Sequence, residues 1–181
     1  VASYKFAYAG IGTRNLTVSE HLTIQKTARI LSKSRILLYS GNAPGSDQAF
    51  QYGSKGDCVC FLPWDGFEKQ SFDYTILARK YFIMGESTEG LASIIKYHPN
   101  PTSLSKGGKA LMARNFHQIH GVLPDLPMIK FVVCCADPSP NGGCLGGTGQ
   151  AVRIAMDLNI PIINIRVPGW AQLLKNNIDI G

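Results

Sequence analysis

Arg35-Ile36-Leu37-Leu38-Tyr39-Ser40-Gly41-Asn42-Ala43-Pro44-Gly45-Ser46-Asp47 passes from a compact apolar run into a glycine-bearing loop, and a helix is expected over Asp47–Gly53. An apolar strand followed by a loop and a helix is the unit of a parallel sheet covered on both faces. The same order recurs along the chain. Tyr4–Ala9 reads as a strand that ends at Gly10-Ile11-Gly12, ahead of a helix over Ser19–Ser32. Leu22, Ile24, Ala28 and Leu31 lie near one face of that helix, and Thr17 or Ser19 can cap it. Cys58–Leu62 is a third strand, closed by Pro63-Trp64-Asp65-Gly66. Helices are expected at Phe72–Ile83, Thr88–Tyr97 and Leu104–His120, the last starting either at Leu104 or after Gly107-Gly108, with Leu111, Met112, Phe116 and Ile119 inward. Ile129–Cys135 is the clearest strand. A glycine-rich loop, Asn141–Gly149, then leads to a helix over Gln150–Leu158, a strand over Pro161–Ile165 and a terminal helical turn over Trp170–Asn176. The expected fold is α/β: one Rossmann-like, doubly wound domain over residues 1–181, with a mostly parallel sheet and helices on both faces.

Composition agrees. The 181 residues suit one domain and are enough to bury a core without disulfides or metal. Apolar residues make up 45% and charged residues 17%, which excludes a disordered chain. No run of about 18 apolar residues predicts a membrane span, and Val1-Ala2-Ser3-Tyr4-Lys5 has no signal-peptide pattern, so cytoplasmic residence is expected. The five Cys have no zinc-type spacing and read as reduced structural thiols. The net charge of +6 suits an anionic partner without demanding one.

In doubly wound sheets ligands bind beyond the carboxyl ends of the strands. Three glycine-bearing loops follow strands here: Gly10-Ile11-Gly12-Thr13-Arg14, Ser40 to Asp47, and Gly142 to Gln150. Glycine lets backbone N–H groups approach a phosphate, and the following helix offers its positive end. No loop has the Lys and Ser/Thr of a nucleoside triphosphatase, and Gly10-x-Gly12 lacks the third glycine of the dinucleotide fingerprint. Backbone access is expected from Gly10, Gly12, Gly41, Gly45, Gly146, Gly147 and Gly149. Charge is expected from Arg14 and Arg114, and hydrogen bonds from Thr13, Ser40, Ser46, Asp47, Asn115, Thr148 and Gln150. Asp47 reads either as a helix cap or as an acceptor for a ribose or base. Arg114 reads either as a planar fork for phosphate or as half of a surface ion pair. Trp64, in the aromatic group Phe61, Trp64, Phe67, Phe72 and Tyr74, reads either as core or as a stacking surface for a base. His98, His117 and His120 make no convincing metal set, and no Ser-His-Asp arrangement is assignable, so no metal, cofactor or catalytic residue is expected.

These residues resemble a family. Tyr8 to Arg14, then Ser40 to Phe50 with Gly53, then Ala113-Arg114-Asn115, are similar to the Rossmann-like core of DprA, the DNA-processing recombination mediators. Phe131–Ile165 continues the same order. Leu62-Pro63-Trp64 and Gly146-Gly147-Thr148-Gly149-Gln150 resemble the small stand-alone members common in phages, within the wider SLOG group that includes the LOG phosphoribohydrolases. The resemblance implies non-catalytic binding of a nucleotide or nucleotide-derived small molecule, with single-stranded DNA as the alternative partner, by a homo-oligomer. LOG enzymes resemble Pro-Gly-Gly-x-Gly-Thr-x-x-Glu, with a catalytic Glu; here Arg153 holds the Glu position, which favours binding over hydrolysis. A LOG-like N-glycosidase would have to use Asp47 or Glu86.

Overall fold

The computed structural model describes residues 3–68, 80–121 and 125–179. The strands are β1 (Phe6–Gly12), β2 (Ile36–Ser40), β3 (Cys58–Leu62), β4 (Lys80–Ile83), β5 (Ile129–Cys135) and β6 (Ile162–Asn164). The helices are α1 (Val18–Lys33), α2 (Ser46–Ser54), α3 (Thr88–Tyr97), α4 (Lys106–His120), α5 (Thr148–Asp157) and α6 (Trp170–Asp179). The sheet order is β4-β3-β2-β1-β5-β6, and every pairing is parallel. The chain steps outward from β1 to β4, then crosses to the other side of β1 for β5. The order therefore reverses between β1 and β5, where Gly12 lies opposite Cys135.

The period of two along each strand divides the core. Phe6, Tyr8, Leu38 and Phe131 face a layer with Ile24 and Leu31 of α1, Phe50 of α2 and Leu174 of α6. Ala9, Val132 and Cys134 face the opposite layer, with Ile119 of α4 and Val152 and Ile154 of α5. Ala7, Leu37, Tyr39, Val59 and Phe61 extend that second face toward β4. All five cysteines are free and buried, and no described helix is long and apolar enough to cross a membrane.

Local chemistry sets the helix ends. Thr17 caps α1 in a reciprocal box: its hydroxyl accepts from Glu20 N–H at 3.1 Å, while the Glu20 carboxylate accepts from Thr17 N–H at 2.9 Å. Ser105 caps α4 by accepting from Gly108 N–H at 3.1 Å, so the helix starts ahead of Gly107-Gly108, not after it. Leu22 is 60% exposed rather than inward, because the stripe that packs is Ile24, Thr27, Ala28 and Leu31. Leu111 and Met112 are half-buried because they border a cleft. Lys80–Ile83 is strand, not the end of a helix. It pairs with β3, and Phe82 stacks on Phe61 at 5.9 Å. The rest of the helix expected there, residues 72–79, lies outside the described residues, as do Phe72 and Tyr74.

Candidate functional site

A cleft of about 390 Å³ opens at the carboxyl ends of β1 and β5, where the strand order reverses. Doubly wound sheets place ligands at such a point. Ile11, Gly12 and Ala136 border it from the strand ends. Thr13 and Arg14 border it from the loop after β1, Ala43 from the loop after β2, Asp47 from the first turn of α2, and Leu111, Met112, Arg114, Asn115 and Gln118 from α4. Leu145, Gly146, Gly147 and Thr148 come from the glycine-rich loop, and Arg166 from the loop after β6.

The loops after β1 and β2 are locked to each other. Thr13 N–H donates to Cys135 O at 2.8 Å, and Thr13 O accepts from Ser46 N–H at 3.0 Å and from Ser46 Oγ at 2.8 Å. Gly45 makes this possible: its φ is +86°, and a Cβ there would lie 2.5 Å from Arg14 O. The close approach sets Arg14 on the rim, exposed, with no hydrogen bond or ion pair to any described residue. On the same cleft, α5 has Gly147 as its N-cap and no side-chain cap, so the positive end of that helix meets the same space.

Arg114 is a buried clamp. It is 5% exposed; its Nη1 donates to Gly41 O and to Phe61 O, the latter at 3.1 Å, and its Nε donates to Asn115 Oδ1 at 2.9 Å. Gly41 is required beside it, since a Cβ there would collide with the guanidinium. Asp47, also 5% exposed, accepts from Ala43 N–H at 3.2 Å. Burial pushes the Asp47 carboxyl above its ordinary range and the Arg114 guanidinium below its own, and each charge opposes the shift of the other. Asn115 in turn donates to Gln150 Oε1 at 3.1 Å, which ties α4 to α5.

Arg166 is also engaged. It donates to Glu20 at 2.7 and 3.1 Å, to Asp137 at 2.9 Å and to Asn15 O at 3.2 Å. The Arg166 hydrogen bond holds the Glu20 carboxyl down at about 2. Of the three arginines bordering the cleft, Arg14 alone is uncommitted among the described residues.

Of the residues expected from sequence, Gly12, Thr13, Arg14, Asp47, Arg114, Asn115, Gly146, Gly147 and Thr148 border this cleft. Gln150 borders an adjoining hollow of about 340 Å³ that shares Met112, Leu145, Gly146 and Gly147 with it. Gly10, Ser40, Gly41, Gly45, Ser46 and Gly149 do not border it. Gly10 packs between Leu38 and Phe50, Gly149 lies against Cys144, and Ser40 donates to Gln51 Oε1 at 3.1 Å. Of the second loop, Ala43 and Asp47 reach the cleft, while Ser40, Gly41, Gly45 and Ser46 build the wall behind it. Trp64 is 42% exposed but stands in a separate cavity with Glu86 and Lys106, its ring edge-on to Phe67 at 5.1 Å. Asp47 and Glu86 thus border different cavities. Arg153 borders the adjoining hollow, where its Nε donates to Tyr97 O at 2.6 Å. No group of three or more metal-ligating side chains occurs among the described residues.

Gln118, Asp137 and Arg166 were not expected. Gln118 follows Arg114 by one helical turn, a weak signal, and Arg166 meets Glu20 across 146 residues of chain, which no local pattern reveals.

No protein-family model and no curated protein matches the chain. Among solved structures it is similar to that of DNA processing protein A from Helicobacter pylori, a structure concerned with that protein's single-stranded DNA binding mode. Identity is 19%, covering 97% of this chain and 74% of that one, with a TM-score of 0.56. The fold is DprA-like.

Proposed function

We propose that the cleft binds the phosphate of a nucleotide, free or as a unit of single-stranded DNA, and leaves it chemically unchanged. The observation that carries this reading is Arg14: an exposed guanidinium with no hydrogen bond or ion pair among the described residues, bordering the same cleft as the uncapped N-terminus of α5, at the strand-order reversal. The volume of about 390 Å³, near the lower end of the usual 300–1,000 Å³ for small-molecule sites, suits one nucleotide. The DprA-like fold supports the single-strand form of the ligand. Turnover is disfavoured because Asp47 is buried and held by backbone N–H, while Arg153 stands where a LOG-type enzyme would carry its Glu. The reading includes a homo-oligomer of the small phage type, resident in the cytoplasm.

Fluorescence anisotropy with a labelled oligothymidylate, and competition by adenosine monophosphate, test it. Arg14→Ala should weaken binding several-fold and flatten the dependence of log affinity on log salt by about one contact's worth. Affinity and salt slope both unchanged in Arg14→Ala would overturn the site. Competition by the mononucleotide identifies a free nucleotide as sufficient; its failure assigns the strand. No free base should form with either.

A further inference from the structure

Strand β5 and the glycine-rich loop that follows it bring two thiols together. Cys134 Sγ and Cys144 Sγ lie 3.9 Å apart, and both cysteines are free. Their settings differ. Cys134 is fully buried in the sheet, in register with Ile11 of β1 on one side and Asn164 of β6 on the other. Cys144 is 6% exposed and borders two hollows: the one of about 340 Å³ beside Arg153, and another of about 230 Å³ beside Trp170 and Leu173 of α6. Neither hollow is bordered by Cys134. A solute of a few atoms therefore has a route to one member of the pair, and the other waits behind it.

The hydrogen bonds favour charge on the accessible member. Cys144 Sγ accepts from Asn164 Nδ2 at 3.7 Å and takes a second bond from the Cys134 thiol. The bond between the thiols draws Cys144 below its ordinary range. The same bond, together with burial, pushes Cys134 well above its own. The thiolate is the nucleophilic form of cysteine. The loop is also the part that can give. Cys134 is held by strands on both edges, whereas Cys144 meets Pro138 in an isolated bridge, and a Cβ added at Gly142, Gly146 or Gly147 would meet nothing within 4 Å. A movement of the loop toward β5 closes the gap to the roughly 2.0 Å of a disulfide.

We propose that Cys144 is a peroxide-reactive thiol and that Cys134 resolves it to a disulfide. In the first step the Cys144 thiolate attacks one oxygen of hydrogen peroxide. An S–O bond forms, the O–O bond breaks, and the departing hydroxide takes up a proton as water, leaving a sulfenic acid. In the second step Cys134 sulfur attacks Cys144 sulfur. The S–S bond forms, the S–O bond breaks, and the hydroxide leaves with the Cys134 proton as a second water. Two thiols are oxidised by two electrons and one peroxide is reduced. The bond fastens the loop that carries Gly146 and Gly147 to the sheet, whatever occupies the cleft. Cys58 and Cys60 are an internal control. Their sulfurs are 3.7 Å apart, but both residues are fully buried on one strand. Two residues of strand span about 6.6 Å, at the upper limit for a disulfide.

The test treats the folded full chain with hydrogen peroxide, then unfolds it, alkylates it and weighs it. Wild type should lose two of its five alkylatable thiols, and dithiothreitol should restore them. Cleavage ahead of Asp137 separates Cys134 from Cys144, so a bridged pair of peptides places the bond, and Cys135→Ala, which should still form it, distinguishes Cys134 from its neighbour. Cys134→Ala should stop at a sulfenic acid on Cys144 that dimedone captures. Cys144→Ser, a change in the loop rather than the sheet, should keep all its remaining thiols. Amide exchange over residues 142–147 should slow in the oxidised form. Five alkylatable thiols in treated wild type, a bond between Cys58 and Cys60 instead, or loss of two thiols in Cys144→Ser overturns the proposal. Unchanged exchange over the loop in the bridged form overturns the fastening.

Discussion

Replacing Arg114 by Met tests the buried clamp that stands where its sequence context suggested a phosphate fork or half of a surface ion pair. The change removes the hydrogen bonds to Gly41 O and Phe61 O and leaves Asp47 buried without its nearest guanidinium. Removing one partner of a buried charged arrangement costs about 3–5 kcal/mol, because the other charge is stranded. That is a large share of the roughly 5–15 kcal/mol that holds a domain folded. For a chain of this length about 1 kcal/mol moves the melting temperature by roughly 2–4 °C, so a fall of about 10–15 °C is expected. Asp47→Asn in the same background should return a substantial part of it by removing the stranded charge. The pH dependence has a definite sign. Burial raises the folded-state Asp47 carboxyl above its unfolded value, so the folded state holds the proton longer, and stability falls as pH rises through that window. Without Arg114 to oppose the shift, the deficit of the variant should be smaller in mild acid than at neutral pH. Thermal unfolding by circular dichroism, with urea midpoints as a second measure, reads all of this. A melting temperature within about 3 °C of wild type would refute the clamp.

Two further predictions concern the scaffold of the cleft. Glu20 sits at about 2 because Arg166 hydrogen-bonds it, so its contribution is complete above the ordinary carboxylate range and is lost as pH falls from about 4.5 toward 2. Glu20→Gln should lower stability by up to about 1 kcal/mol at neutral pH and flatten the acid limb of the melting profile; an unaltered acid limb would contradict the assignment. Gly45→Ala forces a side chain onto a φ of +86° and against Arg14 O, at a cost of about 1–3 kcal/mol. Its urea midpoint should drop at constant slope, with weakened nucleotide binding as Arg14 is displaced, whereas a wild-type midpoint would show that the turn tolerates a Cβ.

The strands that dominate the sheet were legible because they are apolar along their whole length, as burial on two faces requires. Ile129–Cys135 and Cys58–Leu62 fall within their expected limits for that reason. Lys80–Ile83 was not legible. It is an edge strand of four residues with exposed ends, too short for its period to be told from that of a helix. The cleft was legible in outline, since glycine after an apolar strand is a local signal. The direction each loop takes is not local. Ser40 and Gly41 turn inward because Gln51 and Arg114 are there to receive them, and Arg114 comes from a helix many residues later. Arg114 and Gln118 both face the cleft from α4, yet one is saturated and the other is not, a difference fixed by tertiary neighbours alone.

The position of β1 has a consequence for biosynthesis. In the finished sheet it is flanked by β2 and β5, yet β5 is made more than a hundred residues after it. During that interval Phe6–Gly12 has one edge without a partner, and its sequence holds no charge and no proline to guard it. At roughly 5–20 residues per second the interval lasts on the order of ten seconds. The vulnerable edge of the nascent chain is therefore the strand that will become the middle of the sheet. A chaperone, or a second unfinished copy, would meet this protein first at the very backbone beside which the cleft is later closed.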